Sequence, residues 1–84
     1  MTDHAAAGVN AAQRLAAEVR AEMARQKRTA GEMAKVIGTT PHTAGRRLSG
    51  AVPFNIAELD AVAKWLGVDL ASLMREPRSR AMAS

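Results

Sequence analysis

Residues 38–50 read Gly-Thr-Thr-Pro-His-Thr-Ala-Gly-Arg-Arg-Leu-Ser-Gly, and this is the stretch of the chain best equipped to touch a target. Thr40 before Pro41 is a helix start: the hydroxyl can cap, and proline at the first helical position gives up no hydrogen bond. At 100° per residue, Ala44 and Leu48 turn inward while His42, Thr43, Arg46 and Ser49 lie broadly opposite. An arginine can bridge O6 and N7 of guanine, His and Thr can hydrogen-bond base edges, and Pro41 or a threonine methyl can touch a thymine methyl. A major groove about 12 Å wide accepts such a helix end first. Pro41, His42, Thr43 and Arg46 are therefore the expected base readers. Thr40 sits where free N–H groups and the helix dipole favour a phosphate.

Other chemistries find little to work with. The two histidines, His4 and His42, fall in an arm and on an exposed helix, and there is no cysteine. Glu32, Glu58 and Asp69 read as helix-start residues, which leaves no nucleophile and base that the pattern would bring together. The expectation is no catalytic residue, no metal site and no cofactor, and no small-molecule ligand is evident.

Charge favours a polyanion as partner. The formal net charge is +4, and residues 11–50 hold eight Lys and Arg against three Asp and Glu, whereas residues 51–74 hold one against three. Arg75, Arg78 and Arg80 add positive charge beyond. A basic face on a small domain suggests nucleic acid, with a solvated surface as the plain alternative.

The elements that must position these residues can be read from the same chain. Its 84 residues are expected to form one small domain, with Leu, Ile, Val, Met and Ala supplying a core that holds one Trp, one Phe and no Tyr. That palette favours helix on helix, an all-α bundle of about five short helices. Residues 1–10 lack periodicity and read as a flexible arm. A first helix is predicted over residues 10–27, capped by Asn10 and burying Ala12, Leu15, Ala16, Val19 and Met23. Thr29 and Glu32 form a capping box for a second helix, which buries Met33, Ala34 and Ile37 and stops at Gly38. After the third helix, Pro53 breaks the chain; Asn55 and Glu58 then start a fourth, with Ile56, Leu59, Val62, Ala63 and Leu66 at helical spacing. Asp69 starts a last helix carrying Leu70, Leu73 and Met74, Pro77 stops it, and residues 75–84 form a basic tail. The working domain is residues 11–74.

Two positions on the third helix stay open. Arg47 lies beside the buried arc, where it can reach a phosphate, fold back on an acidic partner such as Glu32, or extend along the surface. Gly45 costs about 1 kcal/mol of helix stability relative to Ala, so either the backbone packs closely there or a groove wall does, and packing is the favoured reading.

The segment from Glu32-Met33-Ala34 to Ile37-Gly38-Thr39-Thr40 resembles the second helix and turn of the lambda-repressor-like, or Xre/Cro-type, helix-turn-helix family. Leu66-Gly67-Val68 followed by Leu73 resembles that family's ending. The resemblance spans roughly residues 11–74 and implies a bundle whose third helix enters the major groove of double-stranded DNA. By position it makes Pro41, His42 and Arg46 base readers and gives Thr40 and Ser49 to the backbone. Thr29, Lys35, Thr39 and Arg47 join the backbone or unassigned set. Ala30 stands where the family often has a polar contact residue, Arg47 where it is usually apolar, and Leu48 where it is usually polar.

The leading expectation is thus a sequence-specific transcriptional regulator of the bacterial cytoplasm, most simply a phage-type repressor or Cro-like protein. Such proteins usually read half-sites as homodimers, for which exposed Trp65, Phe54 or Val68 would have to supply the contact. The competing expectation is a helical protein-interaction module or antitoxin on the same fold. Nothing approaches the roughly 20 apolar residues of a membrane span, and the first residues lack the pattern of a secretory signal.

Overall fold

The computed structural model describes the backbone of residues 3–74 and the side chains of residues 11–74. Its elements are α1 (Asp3–Gln26), α2 (Ala30–Ile37), α3 (Pro41–Ser49), α4 (Ile56–Leu66) and α5 (Leu70–Met74), with no strand among the described residues. The protein is an all-α bundle, the architecture its aliphatic, aromatic-poor composition favours. The basic tail lies outside the described residues.

α1 packs on α3, α4 and α5, and α2 packs on α3 and α4. Between them lies one apolar cluster drawing on every helix: Val19 and Met23, Met33 and Ala34, Ala44 and Leu48, Leu59, Val62, Ala63 and Leu66, Leu73, and Phe54 from the α3–α4 connection. The largest fully buried side chains are Val19, Met33 and Val62, one each from α1, α2 and α4. Leu15, Ile37, Trp65 and Leu70 close the cluster's edges.

One expectation needs correction, and two apolar residues of the predicted helices prove exposed. α1 is helical from Asp3 rather than from Asn10. Asn10 is therefore an interior helical residue, and the run Ala5-Ala6-Ala7 has the propensity to extend the helix backward without apolar periodicity. Ile56 is 68% exposed because it is the first residue of α4, beyond the reach of neighbouring elements. Met74, at the last turn of α5, is 55% exposed, and Leu73 beside it takes the buried position.

The short helices are specified at their ends. Thr29 Oγ1 accepts from Glu32 N at 3.1 Å while Glu32 Oε1 accepts from Thr29 N at 2.7 Å. The same reciprocal box joins Asn55 and Glu58. α1 stops without glycine: Lys27 takes φ 59°, and Arg28 N donates to Met23 O at 2.8 Å. α2 stops at Gly38, φ 70°, and α3 at Gly50, φ 83°.

Four contacts fix α3. Ala44 and Leu48 enter the core. Arg20 of α1 donates a hydrogen bond to the Leu48 carbonyl, one of the helix-end acceptors left without an intrahelical donor. At Gly50 the backbone runs so close to α1 that an added Cβ would stand 3.0 Å from Gln13 Cα. Finally, Arg47 makes a two-pronged pair with Glu58, Nε to Oε1 at 2.9 Å and Nη2 to Oε2 at 3.2 Å. Glu58 Oε1 also accepts from Asn55 N at 3.0 Å, so one carboxylate both caps α4 and grips α3.

That arrangement holds the Glu58 carboxyl below its ordinary value of 4.5, chiefly through the Arg47 hydrogen bonds and further through the Asn55 N–H, against the opposing effect of burial. A carboxyl depressed in the folded state stabilises above its unfolded pKa, and that contribution disappears as pH falls through the folded value. Unfolding free energy from urea titration is therefore expected to be level near neutrality and to decline below about pH 5. Glu58→Gln should flatten that acid limb and cost roughly 1–3 kcal/mol at pH 7. An acid limb identical in wild type and variant would detach Glu58 from the effect.

The two glycine stops should also differ. Gly38→Ala meets open space and bears only the left-handed backbone cost, about 1–2 kcal/mol. Gly50→Ala bears that cost and the crowding against Gln13, so its loss in urea titration should be the larger of the two. Equal losses would show that α1 yields at Gln13.

Candidate nucleic-acid interface

α3 has two unlike sides. On the held side, Ala44 and Leu48 are buried and Arg47 is committed to Glu58, both partners of that ion pair being largely shielded, at 18% and 13% exposure. On the outward side stand Pro41, His42, Arg46 and Ser49, all exposed. Among the described residues no hydrogen bond or ion pair engages the His42 or Arg46 side chain. Neighbouring arginines thus have opposite assignments because one helical residue rotates the side chain by about 100°.

The start of α3 is also set by side chains. Thr40 Oγ1 accepts from Thr43 N at 3.2 Å and donates to Thr43 Oγ1 at 3.2 Å, which fixes the cap. Thr43 is half-buried and already engaged there, so of the four expected readers it has the least freedom. No acidic residue lies in the first turn of α3, and the positive end of its dipole is uncompensated from within the helix.

The remaining expected residues are distributed more widely. Ser49 is exposed, but its Oγ donates to Arg46 O at 3.1 Å and accepts from Ala51 N at 3.2 Å, a local closure of the helix end. Thr39 N donates to Ala34 O at 2.9 Å, so its backbone closes α2. The Thr29 hydroxyl is used in the α2 cap, and Lys35 is exposed on α2. No hydrogen bond joins Thr29 or Lys35 to α3 among the described residues.

Arg47 takes the fold-back course, with Glu58 rather than Glu32 as its acidic partner. Glu32 Oε1 is occupied by its own cap, and the partner eleven residues on is brought in by the α3–α4 turn. The close-packing explanation of Gly45 is overturned, since a Cβ built there would meet nothing within 4 Å. Phe54 is buried and so offers no dimer surface. Trp65 is half-buried, packs on the core and carries the Arg28 guanidinium 5.1 Å above its ring centroid.

Residues absent from the sequence-based set prove to hold it in place. Arg20 binds the end of α3, and Gln26 Nε2 donates to Leu66 O at 2.7 Å, securing the end of α4. No periodicity signals either contact, because each depends on how α1 crosses its neighbours. Elsewhere, no three His, Asp or Glu side chains gather as metal ligands among the described residues, and no helix there is long and apolar enough to cross a membrane.

Residues 6–83 match the family model of the BetR domain. No curated protein and no solved structure matches the chain. BetR domains are small helical domains, helix-turn-helix-like in Xre-type regulators, and five helices without a strand among the described residues agree with that description. With nearly its whole length matched, and folded as an all-helical bundle, the chain belongs to the BetR domain family.

Proposed function

We propose that this BetR domain binds double-stranded DNA in a sequence-specific manner as a transcriptional regulator, most simply a phage-type repressor or Cro-like protein. In this reading α2, the short link at residues 38–40 and α3 act as a helix-turn-helix, lambda-repressor-like in use, with α3 in the major groove. Arg46 and His42 read base edges, Pro41 supplies an apolar contact, and Thr43 plays a smaller part through its methyl group. Thr40, Ser49 and Lys35 lie along the DNA backbone, together with the His42 N–H at the start of α3. Arg47 is withdrawn from the contact set because Glu58 holds it.

The observation that carries this reading is the divided character of α3. Its inner side is fixed to α1 and α4, and its outer side presents Arg46 and His42 without an intramolecular partner among the described residues. A free, directed arginine on a rigid helix is what bidentate guanine recognition needs. Family membership supports a regulatory helical domain, and the basic excess in residues 11–50 supports an anionic target.

A protein-interaction module or antitoxin is the second reading. It draws on an open groove lined by Val36, Ile37, Ala57 and Ala61 together with Asn55 and Glu58, near the start of α4 where Ile56 is exposed. Neither reading includes a catalytic step.

Selection of bound fragments from random duplexes, followed by affinity measurement over a salt series, separates the two. For DNA binding, log K should fall linearly with log salt, with a slope of about −0.9 per phosphate contact. Arg46→Ala should keep the helical spectrum and thermal midpoint of the parent while losing about 1–3 kcal/mol of discrimination at one base pair. Salt-insensitive or absent binding to every duplex would favour the interaction module.

A further inference from the structure

Gly45 is the one glycine inside α3, and nothing in the chain's own structure calls for it. Its φ lies outside the positive range taken by Gly38, Gly50 and Gly67. A Cβ added there meets no atom within 4 Å, so no neighbouring helix requires the space. Glycine in a helix interior still costs up to about 1 kcal/mol relative to alanine. Close packing against the rest of the chain therefore does not account for this glycine, which leaves an approach from outside the chain as the use to test.

Helix geometry gives its position on the surface. Residues three and four apart are neighbours, so Gly45 is bordered by Pro41 and His42 on one turn and by Leu48 and Ser49 on the next. Three of those four are exposed, and Leu48 is buried. The bare position lies at the margin of the outward face, between the proposed reader His42 and the held side of the helix.

We infer that Gly45 is a contact position of the DNA interface, a gap in the side-chain layer that lets the duplex lie directly against the α3 backbone. This rests on the DNA-binding reading above and adds where the closest approach occurs. Glycine serves where backbone must approach a ligand closely. A side chain at this position would hold α3 away from the groove wall by roughly the thickness of a methyl group, lengthening the hydrogen bonds made by His42 and Arg46. Such bonds span about 2.7–3.2 Å between heavy atoms, and a contact of about 3.6 Å no longer counts as one. Gly45 is thus a positioning residue, acting through its neighbours' distances.

The signature is an opposition that a purely structural role would not produce: substitution should stabilise the free protein and weaken the complex. Gly45→Ala should raise the thermal midpoint by about 2–6 °C. On the duplex recovered from the selection, affinity should fall several-fold for Gly45→Ala and by at least about tenfold for Gly45→Leu. Both variants should leave the circular dichroism spectrum helical.

Four outcomes decide the matter. Higher stability with weaker binding, graded by side-chain size, supports the inference. Higher stability with unchanged affinity overturns it and leaves the DNA-binding reading standing. Lower stability in Gly45→Ala also overturns it, because the glycine would then serve the fold. Failure of the unsubstituted protein to bind any duplex, specific or nonspecific, overturns the DNA-binding reading and this inference with it.

Discussion

The Glu58 carboxylate is the joint on which the geometry of α3 depends. Its two oxygens receive the Asn55 N–H and both prongs of the Arg47 guanidinium. The Arg47 guanidinium would be costly to leave alone in its partly buried place. Because the cap of α4 and the grip on α3 share one group, the angle between the helices and the start of α4 are set together. Ala44 and Leu48 give α3 its depth in the core, but apolar contact is non-directional. The charged fork supplies the direction that distinguishes one rotation of the helix from the next.

A charge count and a charge map describe this protein differently. Residues 11–50 have a surplus of five positive charges, yet Arg47 is spent on Glu58 and Arg25 on Glu22. Arg28 lies over Trp65, and Arg20 is turned to a carbonyl. The latter two keep their charge but lose their freedom, since each guanidinium is occupied in holding helices. Arg46 differs from all of these in being directed outward with its donors unspent. Long-range attraction toward a polyanion is a property of the summed field, whereas recognition requires donors that are still available.

Much of the fold was legible in the sequence because short helices advertise their ends. Thr29 with Glu32, Thr40 with Pro41, and Asn55 with Glu58 were all readable and all appear as caps. Lys27 gave no such notice: a lysine at φ 59° is held there by the surrounding structure, and no local pattern predicts it. The backward extension of α1 to Asp3 was hidden for a similar reason, since periodicity reports which face is buried and is silent where propensity alone sustains a helix. For α3, the wheel separated Ala44 and Leu48 from His42 and Arg46 correctly. It could not decide Arg47, whose course depends on an acid eleven residues away, nor Gly45, whose meaning depends on the emptiness beside it.

The division of α3 into a held side and an outward side bears on how such a domain changes over generations. Substitutions at 44, 47 or 48 disturb the core or the Glu58 joint, and a change at 47 invites a compensating change at 58. Positions 41, 42 and 46 lie on the other side of the helix, with their side chains uncommitted to the fold among the described residues. On the DNA-binding reading proposed above, changes at His42 and Arg46 would exchange one target for another while leaving the Glu58 joint and the buried side of α3 in place.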